Sequence, residues 1–272
     1  MSDDEISIEG NLFEEPEGFR PPPPEAHFTD YKRIEGKSDP SSLKLRLVGK
    51  SPLWGHLLWN AGIFTANYLD EHSETLVKGK KVLELGAAAS LPSIVCAING
   101  ASKVVSTDYP DPELLQNIQY NFDHCEGIPK ETKTKVKGYI WGQDVRSIIM
   151  DDIEDEDDLP NYEDIKEEDK YDLVILSDLI FNHTEHLKLL KACRQTLKKL
   201  GKGLIVFSPH RAHLLHEDLK FFQTSEQFEF KAEQIDLQIW QPMFQEEPED
   251  TAEIRSRLKT HIQMIIFKQS WS

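Results

Sequence analysis

Cysteines and long apolar runs are scarce in this sequence of 272 residues. The three cysteines, Cys96, Cys125 and Cys193, are odd in number and unevenly spaced. They exclude a disulfide framework and predict reduced thiols in an intracellular protein. No apolar run approaches the roughly 20 residues that span a bilayer, and the acidic first residues are unlike a secretory signal. We therefore expect a cytoplasmic protein that has no membrane partner.

Positive charge is scarce as well. Lysine and arginine together number 31 against 48 aspartates and glutamates, which gives a net charge of −17. A surface of this sign repels phosphate backbones and anionic lipids, so a nucleic-acid partner is not expected. A basic partner is favoured instead, although the same acidity also serves solubility alone.

Composition divides the chain into an arm and one domain. Residues 1–42 are proline-rich and acidic, with four consecutive prolines at 21–24, and are predicted to form an extended N-terminal arm. Residues 43–272 are long enough to form a single domain with one large core. Within that domain, residues 151–169 are dense in acid and predict a solvated insertion between strands. Contact between this insertion and a basic substrate is the alternative.

A glycine corner follows the first buried strand of the predicted domain. Residues 82–85 are apolar enough for a short strand, Gly86 interrupts it, and small residues lead to apolar positions at helical spacing from Leu91 onwards. Strand, glycine turn and helix form the nucleotide-binding half of a doubly wound sheet, whose ligand lies at the carboxyl edge of the strand.

The next strand ends in Asp108, about 20 residues after Gly86, which is the usual separation for an acid that binds a ribose diol. A dinucleotide needs the pattern G-x-G-x-x-G, but the second and third positions here are Ala88 and Leu91. S-adenosylmethionine has a ribose and no phosphate, so this loop favours it. An ordinary turn, with Asp108 as a solvated strand end, is the alternative.

Further strands predict a parallel sheet covered on both faces. The apolar run of residues 171–177 is the clearest, and Asp178 follows it at the carboxyl edge. Other predicted strands span residues 43–48, 102–107, 136–141, 203–208, 228–237 and 262–267, with helices at 57–69, 111–122 and 184–200.

With these motifs in place, the chain resembles class I S-adenosylmethionine-dependent methyltransferases. Within that class it resembles the family of protein lysine methyltransferases that modify translation factors and chaperones. The resemblance covers about residues 43–272 and rests on Leu58–Gly62, Leu83–Ala88, Asp108, Trp141 and Ser177–Phe181. It implies an α/β fold with a doubly wound, seven-stranded, mostly parallel Rossmann-like sheet, and S-adenosylmethionine as cofactor.

The resemblance also implies the site. The residues expected to contact the cofactor are Trp59, Gly86, Ala87, Ala88, Asp108, Trp141 and Ser177. Asp178 and Phe181 fall on the family's D-x-x-Y motif and are the expected catalytic residues. Phe181 departs from the motif because it lacks the hydroxyl, and Ala88 replaces the usual second glycine.

Histidines at i, i+3 spacing offer an alternative kind of site. His183 and His186 form one such pair, and His210, His213 and His216 continue the pattern. No cysteine or carboxylate motif of the zinc type accompanies them, so we expect no metal.

The substrate is the least determined prediction. The strings at residues 13–16, 20–24 and 51–62 resemble the branch of the family that methylates translation elongation factor 1-alpha at its N-terminal α-amine and a nearby lysine. The expected enzyme is then a monomeric protein N-methyltransferase with that factor as its basic partner. Two alternatives stay open: a small-molecule N-methyltransferase of the nicotinamide type, and a non-catalytic binding module that keeps the cofactor fold.

Overall fold

The computed structural model describes residues 25–37, 39–49, 51–241, 243 and 259–267, the last range by its backbone alone. Within them the strands are β1 (His27–Lys32), β2 (Ser42–Leu47), β3 (Lys81–Leu85), β4 (Lys103–Asp108), β5 (Lys133–Gly138), β6 (Tyr171–Ser177), β7 (Leu197–Phe207), β8 (Phe230–Ile239) and β9 (Lys259–Phe267).

Seven of these strands form one sheet in the order β5-β4-β3-β6-β7-β9-β8. The five strands from β5 to β7 are parallel, whereas β9 pairs antiparallel with both β7 and β8. The strand order reverses at β3, since β4 and β5 lie on one side of it and β6 and β7 on the other. The predicted doubly wound, seven-stranded, mostly parallel sheet is confirmed, and its switch point lies beside the glycine corner.

Helices cover both faces of this sheet. They are α1 (Asn60–Glu71), α2 (Ser73–Leu76), α3 (Leu91–Ile98), α4 (Pro112–Asp123), α5 (Arg146–Ile149), α6 (His186–Thr196) and α7 (Leu215–Ser225). Buried side chains of α1, α3 and α4 belong to one core cluster, and those of α5, α6 and α7 belong to another. The near-continuous apolar strands β3 and β6 contribute to both, as expected of parallel strands buried on two faces. Among the described helices, none has the length and apolar character that a membrane crossing needs.

Several predicted element bounds differ from the structure. The first helix begins at Asn60, because residues 52–57 form turns before it. Strand β5 ends at Gly138, so Trp141 lies in the loop beyond it. β5 is an edge strand with alternating lysines, which weakens the apolar signal that locates a strand. Helix α6 ends at Thr196, since β7 already begins at Leu197.

The second half of the predicted arm is folded. Strand β1 pairs antiparallel with β2, and Tyr31 is buried in the same core cluster as Leu43 and Leu45. The guanidinium of Arg33 binds the carboxylate of Asp70 on α1 through two hydrogen bonds of 3.0 Å and 2.5 Å. This buried ion pair ties the hairpin to the domain. Residues 27–32 of the predicted arm therefore pack against the domain, and residues 1–24, which hold the proline run, lie outside the described residues.

The acidic insertion lies at the amino edge of the sheet. Residues 151–169 contain three short 3-10 turns between α5 and β6 and are mostly exposed. Asp151 is an exception, because it is buried and pairs with Lys103 at the start of β4. The insertion therefore lies at the end of the strands opposite to Asp108 and Asp178.

Candidate active site

The corner after β3 has a strained backbone. Gly86, Ala88 and Ser90 have φ values of 64°, 48° and 64°. The left-handed region costs a residue with a side chain on the order of 1–3 kcal/mol, and such residues cluster at functional sites. The N–H of Ala87 donates to the carbonyl of Thr107, and the N–H of Ser90 donates to that of Ala87. The predicted tight turn between β3 and α3 is thus present, with Ala88 and Ser90 in a conformation that glycine adopts more readily.

Gly86 is required at this corner by its close neighbours. A Cβ atom at this position would lie 2.6 Å from Cδ2 of Leu179 and 3.2 Å from Cζ2 of Trp141. Trp141 reaches the corner although it lies three residues beyond β5. Leu179 follows Asp178 directly, so the corner contacts the loop after β6.

Glu84 connects the corner to α3 from inside the core. Its carboxyl accepts hydrogen bonds from the backbone N–H and the hydroxyl of Ser93. Burial raises the pKa of Glu84 to about 8, although both hydrogen bonds act in the other direction. At pH 7 the carboxyl is therefore largely protonated. Its neutral form fixes the start of α3 against β3.

Asp108 lies beside the corner at the end of β4. Its Oδ2 accepts a hydrogen bond of 2.7 Å from the N–H of Ala88, and its Oδ1 accepts one of 2.7 Å from the N–H of Tyr109. Burial raises the pKa of Asp108, and the two amide donors oppose this rise. Each carboxylate oxygen has one further lone pair. Those two acceptors suit the two hydroxyls of a ribose, so the corner and Asp108 fit S-adenosylmethionine.

Asp178 lies at the same edge, after β6. It is buried, has a φ of 59°, and its N–H donates to the carbonyl of Val206. The N–H of Ser208 donates to Oδ1 of Asp178 at 3.2 Å. Oδ2 of Asp178 lies 2.8 Å from Nε2 of His210. The carboxylate is therefore held rigidly by two residues that follow β7.

His210 was not among the predicted site residues. Apart from the histidine spacing, the signal for it was its position. His210 follows β7 and Asp178 follows the neighbouring parallel strand β6, so both lie at the same edge of the sheet. Burial alone would lower the pKa of His210, but the hydrogen bond to Asp178 and its charge raise that pKa above the ordinary 6.5. Asp218 adds to this rise and Arg211 opposes it.

Aromatic rings surround the imidazole of His210. Its centroid lies 5.1 Å from that of Trp59 and 6.3 Å from that of Phe181. Nε1–H of Trp59 donates to the carbonyl of Trp54 at 3.3 Å, and the carbonyl of Phe181 accepts from Arg211 at 2.7 Å. Trp59, Asp178, Phe181 and His210 thus form one group, which we call the aromatic–acid cluster.

Ser177 lies between the two halves of the site. Its side chain is partly exposed, and its hydroxyl oxygen accepts a hydrogen bond of 3.3 Å from Thr65 on α1. All nine predicted site residues therefore lie at the carboxyl edge of the sheet. The corner residues 86–88, Asp108 and Trp141 form one half, and the aromatic–acid cluster forms the other.

The first two histidines of the i, i+3 pattern bind protein groups. Nε2 of His183 lies 2.6 Å from Oδ1 of Asp218, and Nε2 of His186 lies 2.6 Å from the carbonyl of Ile180. The first contact joins α7 to the segment that precedes α6, and the second holds the start of α6 against the loop after β6. Among the described residues, no three His, Cys, Asp or Glu side chains are placed to bind a metal ion together.

A cavity of about 320 Å³ lies at the opposite, amino edge of the sheet. Its lining includes Lys81, Lys103 and Asp151, and it includes none of the predicted site residues. Lys103 is paired with Asp151, and the ammonium of Lys81 donates to the carbonyl of Glu168. Ligands of open α/β sheets bind at the carboxyl ends of the strands, so we assign the reaction to the edge with Asp108 and Asp178.

One solved structure has the same fold at low identity. The 16S rRNA N2 G1207 methyltransferase of T. thermophilus, in complex with AdoMet and guanosine, matches with a TM-score of 0.52 at 15% identity. The match covers 92% of this chain and 52% of that chain, so this protein spans about half of the larger one. At this identity the likeness shows the fold alone.

Similarity of sequence is more specific. The family model described as lysine methyltransferase matches residues 37–228. The Protein N-terminal and lysine N-methyltransferase EFM7 of Debaryomyces hansenii is 63% identical over 258 residues, which cover 95% of this chain and 96% of the relative. The protein of that name from Candida albicans is 55% identical over 261 residues, with coverages of 95% and 96%. This chain therefore belongs to the lysine methyltransferase family.

Proposed function

We propose that this protein is an S-adenosylmethionine-dependent protein N-methyltransferase. Its substrates are the N-terminal α-amine and a nearby lysine of translation elongation factor 1-alpha. The observation that carries the proposal is the position of the aromatic–acid cluster at the same sheet edge as the glycine corner and Asp108. Near-full-length relatives named protein N-terminal and lysine N-methyltransferase support the two kinds of amine. The elongation factor itself rests on the resemblance of residues 51–62 and of the N-terminal strings.

The cofactor half binds S-adenosylmethionine, which supplies an electrophilic methyl group when bound. Asp108 would accept hydrogen bonds from the ribose hydroxyls, and the backbone of residues 86–88 would approach the nucleoside closely because Gly86 has no side chain. Trp141 contacts the corner and offers a ring face to the adenine. Ser177 and Trp59 lie where the cofactor half meets the aromatic–acid cluster.

The aromatic–acid cluster positions the amine. An amine attacks only when it is neutral, and the ordinary pKa is roughly 7.7–8.0 for an α-amine and about 10.4 for a lysine. Asp178 orients the incoming amine through its carboxylate. The rings of Trp59 and Phe181 both lie beside His210, and a cation over either ring face gains ~0.5–2 kcal/mol. Phe181 provides this face without the hydroxyl of the family motif.

The rim of the cluster supports a protein substrate over a small molecule. Leu53 and Trp54 are exposed, although both are large and apolar, and the ring of Trp54 lies 6.2 Å from that of Trp59. Apolar side chains beside a reaction centre suit an extended peptide, whereas a nicotinamide would not reach them. The net charge of −17 favours a basic partner at long range. We propose that the enzyme acts as a monomer in the cytoplasm.

The test is a methyl-transfer assay with three acceptors. The protein is incubated with methyl-labelled S-adenosylmethionine and either elongation factor 1-alpha with a free N-terminus, the same factor acetylated at its α-amine, or nicotinamide. We expect label on the N-terminal peptide and on one nearby lysine of the free factor, and on the lysine alone after acetylation. Label on nicotinamide, or on no acceptor, would overturn the proposal. Mass spectrometry of the digested factor assigns the sites.

A further inference from the structure

We propose that His210 is a catalytic residue of the aromatic–acid cluster and that its Nδ1 accepts the proton that the substrate ammonium must lose. This rests on the proposed function and adds to it a base that the predicted site lacked. Asp178 then acts on the amine partly through the imidazole that it orients.

The geometry of the pair assigns the two ring nitrogens. Nε2 of His210 lies 2.8 Å from Oδ2 of Asp178, so in the neutral imidazole Nε2 carries the proton and donates it to the carboxylate. Nδ1 is then the basic nitrogen. Within the described part of the chain, Nδ1 has no hydrogen-bond partner, and the side chain retains 23% exposure. The free nitrogen is therefore available to a group entering from solvent.

The surroundings direct such a group to Nδ1. Trp59 and Phe181 contact the imidazole edge to face, and both rings attract a cation. Asp178 itself is buried and already accepts hydrogen bonds from Ser208 and His210. Each ring lies beside the imidazole, so an ammonium that reaches His210 also meets an aromatic ring, and His210 is the more exposed member of the pair with Asp178.

The chemistry favours an imidazole over a carboxylate. Transfer from an α-ammonium, with a pKa of roughly 8, to an ordinary carboxylate near 4 is uphill by about four pKa units. Transfer to an imidazole whose pKa is raised above 6.5 is nearly balanced. The charged groups facing His210 are Asp178 after β6, Asp218 on α7 and the neighbouring Arg211, so two carboxylates stabilise the imidazolium that forms.

The proton balance is complete without another reactant. The N–H bond of the ammonium breaks, its electron pair stays on nitrogen, and the proton moves to Nδ1 of His210. With S-adenosylmethionine bound, the nitrogen lone pair would form the new bond to the methyl carbon, and the carbon–sulfur bond would break with its electron pair left on sulfur. The imidazolium releases its proton to solvent before the next turnover.

The first measurement follows His210 in the cofactor-free protein. The imidazole of His210 is titrated by NMR in the wild type and in Asp178→Asn. We expect a midpoint above 6.5 in the wild type and a lower one in the variant. Adding an unmethylated N-terminal peptide of the factor should displace the His210 resonance, while that of the exposed His216 stays in place. A midpoint that Asp178→Asn leaves unchanged, or a resonance indifferent to the peptide, would contradict the inference.

The second measurement is the pH profile of α-amine methylation. His210→Gln retains a hydrogen bond to Asp178 but accepts no proton. We expect it to lower kcat by roughly 10²-fold at pH 7, and by a few-fold at most near pH 9.5, where the amine is already neutral. His216→Gln, on the exposed face of α7, is the matched control and should follow the wild type. If His210→Gln keeps the wild-type profile, His210 is not the base; if the wild type methylates nothing at any pH, it is the proposed function that fails.

Discussion

The carboxylate of Asp108 accepts a 2.7 Å hydrogen bond from the N–H of Ala88 and so joins the end of β4 to the corner after β3. This contact makes the acid and the glycine corner one rigid unit. The second oxygen accepts from Tyr109, and that leaves one lone pair on each oxygen facing the sheet edge. Cofactor recognition is therefore expected to depend on the carboxylate and on the corner together.

Asp108→Ala should weaken the binding of S-adenosylmethionine by roughly 10- to 100-fold, because hydrogen bonds to a charged acceptor contribute about 1.5–3 kcal/mol. Isothermal titration calorimetry measures the change. Asp111→Asn is the matched control, since Asp111 caps α4 nearby and asparagine caps equally well. Equal affinities of Asp108→Ala and the wild type would remove the ribose assignment.

Gly86→Ala should both destabilise the fold and weaken cofactor binding. The new Cβ would lie 2.6 Å from Leu179, at a φ of 64° that disfavours alanine. Gly79→Ala separates the two causes, because Gly79 has a φ of 71° with nothing within 4 Å of an added Cβ. We expect the control to lose about 1 kcal/mol of unfolding free energy and Gly86→Ala to lose a further ~1–3 kcal/mol.

Urea titrations of both glycine variants give the unfolding free energies. Leu179→Ala destabilises the protein by itself because Leu179 is buried, but it removes the atom that the new Cβ would meet, so the double variant should lose less than the sum of the two single losses. Equal losses of unfolding free energy in Gly86→Ala and Gly79→Ala would mean that the corner tolerates a side chain.

Asp178→Asn should lower turnover by roughly 10²-fold while the affinity for S-adenosylmethionine changes by less than about 3-fold. Asparagine tolerates the left-handed backbone of this position, which has a φ of 59°. It keeps one acceptor for the N–H of Ser208 but removes the negative charge beside His210. Single-turnover kinetics and calorimetry on the same preparation separate the two quantities. Loss of cofactor binding would place Asp178 in the cofactor half instead.

Arg33→Met should destabilise the protein by about 3–5 kcal/mol, because it leaves the carboxylate of Asp70 buried without its counter-charge, although the amide of Asn99 still donates to it. Both side chains are almost fully buried, at 2% and 0% exposure. The double variant Arg33→Met with Asp70→Leu should regain most of the loss, since an apolar pair needs no counter-charge. Chemical denaturation measures both, and a loss below about 1 kcal/mol in Arg33→Met would show that the hairpin adds little to the domain.

Glu84→Gln should remove a pH dependence of stability. The pKa of Glu84 is about 8 in the folded protein against an ordinary 4.5, so unfolding releases a proton between these values. The contribution of Glu84 to stability is therefore complete below about pH 4.5, falls as the pH rises towards 8, and is lost above it. The fall is on the order of 5 kcal/mol. Unfolding free energies of the wild type and of Glu84→Gln at pH 5, 7 and 9 measure it, and parallel curves would contradict the assignment.

Local pattern was sufficient to predict the centre of the fold. β3 and β6 are buried on both faces, so each is a nearly continuous apolar run that can be recognised as a strand from the sequence. Gly86, Asp108 and Asp178 lie at the carboxyl ends of such strands, and they could be predicted as neighbours because parallel strands place these ends at one edge of the sheet. The arm, the insertion and β5 gave weaker patterns. Their prolines, acids and lysines predict exposure to solvent, but they do not predict which element each segment packs against.

The sequence by itself determined the class of fold and the acids at the carboxyl edge of the sheet, where we propose that ligand binds, since these depend on residues close together in the chain. Tertiary structure alone decided that His210 pairs with Asp178, that Trp141 and Leu179 contact Gly86, and that Arg33 ties the hairpin to Asp70. Each of these contacts joins residues more than 30 positions apart. Local periodicity does not predict such a pairing. The contact forms only when the strand order and the paths of the loops bring the two side chains together.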